Sequence, residues 1–203
     1  MNDTKVIDNF EIAKWLRVIM YVAIATLVNT LVGGLPFIPD GFTAWISRGI
    51  TVVMVVSMIK LAPTNDRYKK AGILRAVMLV FAIAMEVFDI PAMLILAVSI
   101  LSIVADYQEY HGHSELIEDR DHKLSGKWTS LFMWSILSGV IVGFTSTAAV
   151  MLVALAEMDT MKATTVVAAI LSIPQYIIEI LYILYLKKMV TLFQVEREVQ
   201  IDG

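Results

Sequence analysis

The sequence places one carboxylate, Glu179, inside a long apolar stretch near its C-terminal end. Gln175 precedes it by one helical turn, so the two side chains would share one face of a helix, and Pro174 would bend that helix because it removes a backbone donor. An ionisable side chain within an apolar span is costly, which makes it a candidate site for a proton, cation or solute. We predict an inner polar site formed by Glu179, Gln175 and Arg75. The structural alternative is an ion pair of Glu179 with Arg75 or Arg17.

A second group of charges is predicted near the other ends of the apolar spans. Arg48 lies several residues into the second span, and Glu86 and Asp89 interrupt a later apolar stretch. A lone arginine at this depth would cost several kcal/mol, so we predict an outer clamp in which Arg48 pairs with a carboxylate, with Glu86 as the favoured partner. The functional alternative is a polar mouth for a solute.

The polar segment after the fourth span holds all three histidines of the chain. On a helix that continues from that span, Asp106, Glu109 and His113 would share one face. Side chains of these types can hold zinc or another divalent cation. However, the segment has no His-Glu-x-x-His pattern, and a solvated helix explains the same residues. The three residues therefore remain metal candidates beside that simpler interpretation.

Helices that cross a lipid bilayer must position these side chains. Of the 203 residues, 58% are apolar and only 17% are charged, whereas about a quarter of an ordinary soluble domain is charged. A crossing takes about 20 apolar residues. Lipid offers the backbone no hydrogen bonds, so each crossing must be helical. The sequence predicts six spans, over residues 15–35, 42–61, 71–88, 91–107, 128–155 and 164–186.

The predicted fold is therefore all-α, a polytopic integral membrane protein with six transmembrane helices in three hairpins. Both termini are predicted to be cytosolic, because basic residues near span ends resist translocation and this threading leaves only Arg48 and Lys162 outside. The chain forms one membrane domain, with a cytosolic helical loop over about 106–127. The rival count treats 71–105 as one long tilted helix or a re-entrant pair. It would move the later basic residues to the other side.

Small residues recur along the fifth span at spacings of three and four. This pattern predicts a close approach of another helix, because small side chains allow backbones to come near each other in a membrane. The residues are Ser135, Ser138, Gly139, Gly143, Ser146 and Ala149.

The composition also excludes several classes of function. A net charge of −3 argues against a nucleic-acid surface. The absence of cysteine excludes disulfides, thiolate metal sites and cysteine nucleophiles. The sequence contains no glycine-rich phosphate loop and no nucleophile elbow. We therefore expect neither an enzyme nor a bound cofactor.

Three functions remain open at this point. The favoured one is a small-solute or ion transporter, a channel or a transporter subunit. The second is a non-enzymatic sensor, immunity factor or scaffold that docks partners on its cytosolic loop. The third is a metal-dependent membrane enzyme that acts on lipids. The expected partners are the lipid bilayer and either a second copy of the chain or another membrane subunit. Small size, short loops and the lack of cysteine favour a prokaryotic plasma membrane.

Overall fold

Six α-helices occupy the part of the chain that the computed structural model describes. That part comprises residues 8–33, 37–88, 92–155 and 160–202, with side chains described except at 40, 86–87, 92–93, 95, 146–155, 160–171 and 196–202. The helices are α1 (Asn9–Gly33), α2 (Asp40–Leu61), α3 (Asp66–Val87), α4 (Ala92–Ile117), α5 (His122–Leu155) and α6 (Thr160–Asp202).

The long apolar stretch in the middle of the chain is divided between two helices. α3 ends at Val87, and the next residue, Phe88, is extended while its N–H still bonds to the carbonyl of Ala84. α4 begins at Ala92. The prediction that the helix breaks in this region is confirmed, and the alternative of one long helix over 71–105 is wrong.

The polar segment over 106–127 is built from the ends of two helices. α4 continues to Ile117, a turn follows over 118–121, and α5 begins at His122. Asp121 fixes this start, because its side-chain oxygen accepts a hydrogen bond from the backbone N–H of Leu124, as an N-cap residue does. Asn65 caps α3 in the same way, accepting from the N–H of Arg67.

The helices form a closed ring. Each helix packs against its neighbours in chain order, and α1 packs against α6. The buried apolar side chains of the described part gather at one end of this ring, which we call the core end. It consists of the N-terminal parts of α1, α3 and α5 and the C-terminal parts of α2, α4 and α6. Its fully buried large side chains include Leu16, Met58, Tyr68, Ile117, Trp128, Leu186 and Phe193.

Among the described glycines, those closest to a neighbouring helix lie outside the fifth span. A Cβ atom added to Gly72 in α3 would lie 3.2 Å from the Cβ of Met58 in α2. One added to Gly112 in α4 would lie 3.3 Å from the ring of Tyr68 in α3. At Gly139 and Gly143 in α5, a Cβ would meet no such atom within 4 Å. The described residues therefore show no close approach of another helix at these two α5 glycines, and the predicted packing of the stripe stays a prediction.

Three of the described helical segments are long and apolar enough to cross a membrane. They are Asn9–Gly33, Gly41–Leu61 and His122–Thr145. The sequence prediction and the structure thus agree on an all-helical chain that contains membrane-compatible segments.

Candidate functional site: a polar cavity inside the ring

A cavity of about 280 Å³ lies inside the ring, and all six helices contribute to its wall. Most of the lining side chains are polar, which is unusual for the axis of a helical bundle, where apolar side chains normally fill the core. The apolar lining residues are Val22, Ala23, Ile50, Met54 and Ile178; the polar ones are Thr26, Ser47, Thr51, Arg75, Asp106, Glu109, Tyr110, Ser135, Gln175, Glu179 and Tyr182.

The three residues predicted to form an inner polar site all line this cavity. Gln175 and Glu179 lie one turn apart on α6, and Tyr182 follows on the same face. Arg75 enters from α3. The structure thus brings together side chains that are separated by about half the chain. Their role in binding remains a prediction.

Arg75 forms ion pairs with two carboxylates of α4. Its Nη2 lies 2.7 Å from Oδ1 of Asp106, and its Nε lies 3.0 Å from Oε2 of Glu109, which Nη2 also contacts. The planar guanidinium suits this arrangement because it presents several donors in one fixed fork. Arg75 therefore does not pair with Glu179, and the predicted structural ion pair is wrong for this arginine.

Glu179 itself is half-buried and has no ionic partner among the described residues, Arg17 included. Its Oε2 is buried without a hydrogen-bond partner. A buried polar atom of a carboxylate normally has a donor, so this oxygen is an exception that requires an explanation.

A chain of hydrogen bonds leads from the cavity wall toward the core end. The Tyr182 hydroxyl donates to Oε1 of Glu109 and lies 3.4 Å from Nε2 of His113. Nδ1 of the same histidine lies 2.8 Å from the Tyr68 hydroxyl. Glu109, His113 and Tyr68 are all almost completely buried. The network therefore ties α3, α4 and α6 together beneath the cavity.

Charge and burial keep the members of this network in defined protonation states. Burial opposes ionisation of Glu109, but Arg75, together with His113 and Tyr182, outweighs that effect and lowers the carboxyl pKa. Burial, followed by the charges of Glu109 and Glu115, raises the pKa of Tyr68 well above its usual value. The Glu109 side chain is therefore a carboxylate, and the Tyr68 hydroxyl keeps its proton.

Aromatic rings close the cavity at the core end. The fully buried ring of Trp128 packs edge-on against Tyr182, Tyr110 and Tyr185, with centroid distances of 5.3, 5.8 and 5.6 Å. His113 lies 4.6 Å from the same indole. Each edge-to-face aromatic pair contributes about 0.5–1.5 kcal/mol beyond the area that it buries. The rings therefore form a well-packed floor.

The three metal candidates belong to this network. Asp106 and Glu109 bond to Arg75, while both ring nitrogens of His113 face tyrosine hydroxyls. Among the described residues, no group of three or more histidine, aspartate and glutamate side chains is arranged to hold a metal ion. On the helical face that the sequence predicted, the two carboxylates form ion pairs with Arg75. This arrangement does not support a metal site.

The predicted outer clamp is only partly within the described residues. The side chain of Glu86 and the whole of Asp89 lie outside them, so their pairing with Arg48 stays a prediction. The Arg48 guanidinium lies 4.5 Å from the centroid of the Trp45 ring. This is a cation–π contact, which was not expected from the sequence.

Sequence reasoning missed two members of the hydrogen-bond network, Tyr182 and Tyr68. Tyr182 could have been found, because it lies three residues after Glu179 and seven after Gln175, on one helical face. Tyr68 gives no comparable signal, since it lies in a basic stretch at the start of α3, and its ring packs closely against Gly112, next to His113.

No protein-family model, curated protein or solved structure matches this chain.

Proposed function

We propose that the chain is a plasma-membrane protein that moves a small solute or ion through the cavity, as a transporter, a channel or a transporter subunit. In this proposal its six helices cross the bilayer as three hairpins, and the core end, with both termini, faces the cytosol. The basic residues of the described helices support that orientation, because all except Arg48 and Lys162 belong to the core-end parts or lie one to two turns from them.

The observation that carries the proposal is the polar cavity lined by all six helices. In a bilayer, polar and charged side chains avoid the hydrocarbon and face the bundle interior or a water-filled space. A purely structural bundle would gain more by filling its axis with apolar side chains at crystal-like density. The retained polar space is therefore what a route or binding site for a solute needs.

The difference in burial between the two ends of the ring supports a cavity that is closed at the core end. Among the side chains that the structure describes, the buried ones lie almost entirely at the core end, where Trp128 and its aromatic neighbours form the floor of the cavity. Toward the other end, described side chains such as Leu31, Val80 and Phe144 are exposed. We infer that a solute reaches the cavity from the opposite end and that the floor must rearrange before it enters the cytosol.

Flux through liposomes tests the proposal with a pair of matched variants. Thr51→Phe places a large ring at a cavity-lining position, whereas Val52→Phe adds the same ring at the next, exposed position of α2. We expect the unchanged chain to pass at least one of K⁺, choline, glycine or glycerol faster than empty liposomes. Thr51→Phe should abolish that flux, and Val52→Phe should retain it. No flux of any probe, or equal flux in both variants, would refute transport through this cavity.

The lack of cysteine makes the topology directly testable. Phe37→Cys places one thiol at an exposed position between α1 and α2, and Lys123→Cys places one at the start of α5. A membrane-impermeant maleimide added to intact cells should label the first and not the second. Labelling of Lys123→Cys from outside would reverse the proposed orientation.

A further inference from the structure

The cavity wall carries more negative than positive groups. Its lining contains the carboxylates of Asp106, Glu109 and Glu179, but Arg75 is the one guanidinium among the lining residues that the structure describes. That guanidinium is already engaged by Asp106 and Glu109. Glu179 is left without an ionic partner among the described residues, and its Oε2 is buried without a donor. A half-buried carboxyl group without a partner is stabilised in its charged form by a compensating charge, which an occupant of the cavity could supply.

The size and the wall of the cavity argue against a bare metal ion as that occupant. About 280 Å³ is a volume for a small molecule rather than for a dehydrated ion. The described residues offer no group of three or more acidic or histidine side chains suited to a metal. The wall instead mixes tyrosines, Tyr110 and Tyr182, with apolar Ile50, Met54 and Ile178. Such a wall suits an organic group.

We propose that the cavity binds a small monovalent organic cation, an ammonium compound, with Glu179 as its counter-ion. The amide of Gln175, one turn away on the same face, offers an additional acceptor. The tyrosine rings can favour a quaternary ammonium group, because a cation near an aromatic face is attracted by the ring. The inference uses the cavity of the proposed function and specifies its ligand, but it does not require that the ligand crosses the membrane.

Binding of two isosteric probes to the purified full chain tests the role of charge. Choline is a quaternary ammonium alcohol, and 3,3-dimethylbutan-1-ol has nearly the same shape without the charge. By titration calorimetry in detergent, we expect choline to bind saturably, with an affinity at least about tenfold higher than that of the neutral alcohol, because only choline can form an ion pair with Glu179. Absence of choline binding, or equal affinity for the two probes, would overturn the proposal.

A pair of carboxylate variants identifies the counter-ion. Glu179→Gln keeps the shape of the side chain and removes its charge, so choline affinity should fall at least about tenfold. Glu115→Gln removes a carboxylate at the core end, outside the cavity lining, and should leave choline affinity unchanged. Unchanged affinity in Glu179→Gln would overturn the assignment. If that variant does not fold, the comparison of isosteres on the unchanged chain still decides whether the site recognises charge.

The same measurements separate this inference from the transport proposal. Choline binding without flux of any probe would retain the cation site and refute transport. Flux of glycerol without choline binding would do the opposite. Competition by K⁺ at the concentration at which choline binds would show a site for small cations in general, and this would contradict the preference for an organic ion.

Discussion

Two ion-pair clusters join α3 to α4 about two helical turns apart, and they differ in burial and in partners. The exposed cluster connects Arg67 with Glu115 at 2.6 Å, and these side chains are 27% and 40% exposed. The second cluster, which we call the buried cluster after Glu109, connects Arg75 with Asp106 and Glu109. The Arg75 and Asp106 side chains are 21% and 37% exposed, whereas the Glu109 side chain is only 1% exposed. Arg67 of α3 therefore faces water at the core end, while Arg75 faces the cavity.

The difference separates an ion pair that fastens two helices from one that shapes a site. Exposed pairs contribute about 0–1 kcal/mol, because solvent screens them and ordering the side chains costs entropy. A buried pair gains little net stability over apolar residues, yet the loss of one partner is costly because it leaves an uncompensated charge. A network such as Arg75–Asp106–Glu109 is therefore better explained by the cavity that it lines than by stability alone.

The largest expected effect is the loss of the Arg75 charge. Arg75→Gln leaves two carboxylates without their guanidinium, so we expect a loss of about 3–5 kcal/mol of stability. Thermal unfolding of the purified chain in detergent would measure it.

A double variant tests whether uncompensated charge is the cause. Arg75→Gln with Glu109→Gln should recover part of the lost stability, because residues of one network are coupled by about 0.5–3 kcal/mol. A double variant that is no more stable than Arg75→Gln alone would show that the arginine acts through packing.

The next effect concerns the hydroxyl that reaches the buried cluster from α6. Tyr182→Phe removes the donor to Oε1 of Glu109 and the contact with His113. A hydrogen bond to a charged group contributes about 1.5–3 kcal/mol, and we expect a stability loss in this range.

Tyr185→Phe is the matched control for that variant. Tyr185 packs against the same indole, Trp128, but belongs to no part of the described network around Glu109. Loss of the Tyr185 hydroxyl should change the unfolding temperature much less than loss of the Tyr182 hydroxyl. Equal shifts would mean that α6 is held by its rings and not by the hydroxyl of Tyr182.

The contrast between the two clusters also shows how much of the structure can be predicted from the sequence. Helix number follows from hydrophobic length and from the break at Phe88, so these local signals were sufficient. The shared cavity wall of Gln175 and Glu179 follows from their spacing on one helix. By contrast, the depth of Arg75 in the membrane, which is all that the sequence gives, allows pairing with several carboxylates. The structure selects Asp106 and Glu109 over Glu179 because α3 has α4 and not α6 as its neighbour in the ring. Tertiary neighbours of this kind carry no signal in a single sequence.

A smaller effect is expected at the exposed cluster. Arg67 also contacts Gln108 at 3.2 Å, and Asn65 donates to Glu115 at 2.8 Å, so the loss of Arg67 leaves Glu115 both solvated and hydrogen-bonded. Arg67→Gln should therefore lower the stability by no more than about 1 kcal/mol. The difference in stability between the unchanged chain and Arg67→Gln should shrink further in about 1 M salt, where charges are screened within about 3 Å. A loss as large as that of Arg75→Gln would remove the distinction between the two clusters.

The smallest effect is the pH dependence of the exposed pair. Burial alone would raise the pKa of Glu115, but Asn65 and Arg67 together lower it below its ordinary value of about 4.3. A carboxyl with a lowered folded-state pKa adds stability above its unfolded pKa, and that addition disappears as the pH falls through the folded pKa. The unfolding temperatures of the unchanged chain and of Glu115→Gln should therefore differ by a constant small amount between about pH 5 and 8 and converge below about pH 4. Convergence on raising the pH instead would show that Glu115 is held as the neutral acid, and the Arg67 pair would then have no electrostatic role.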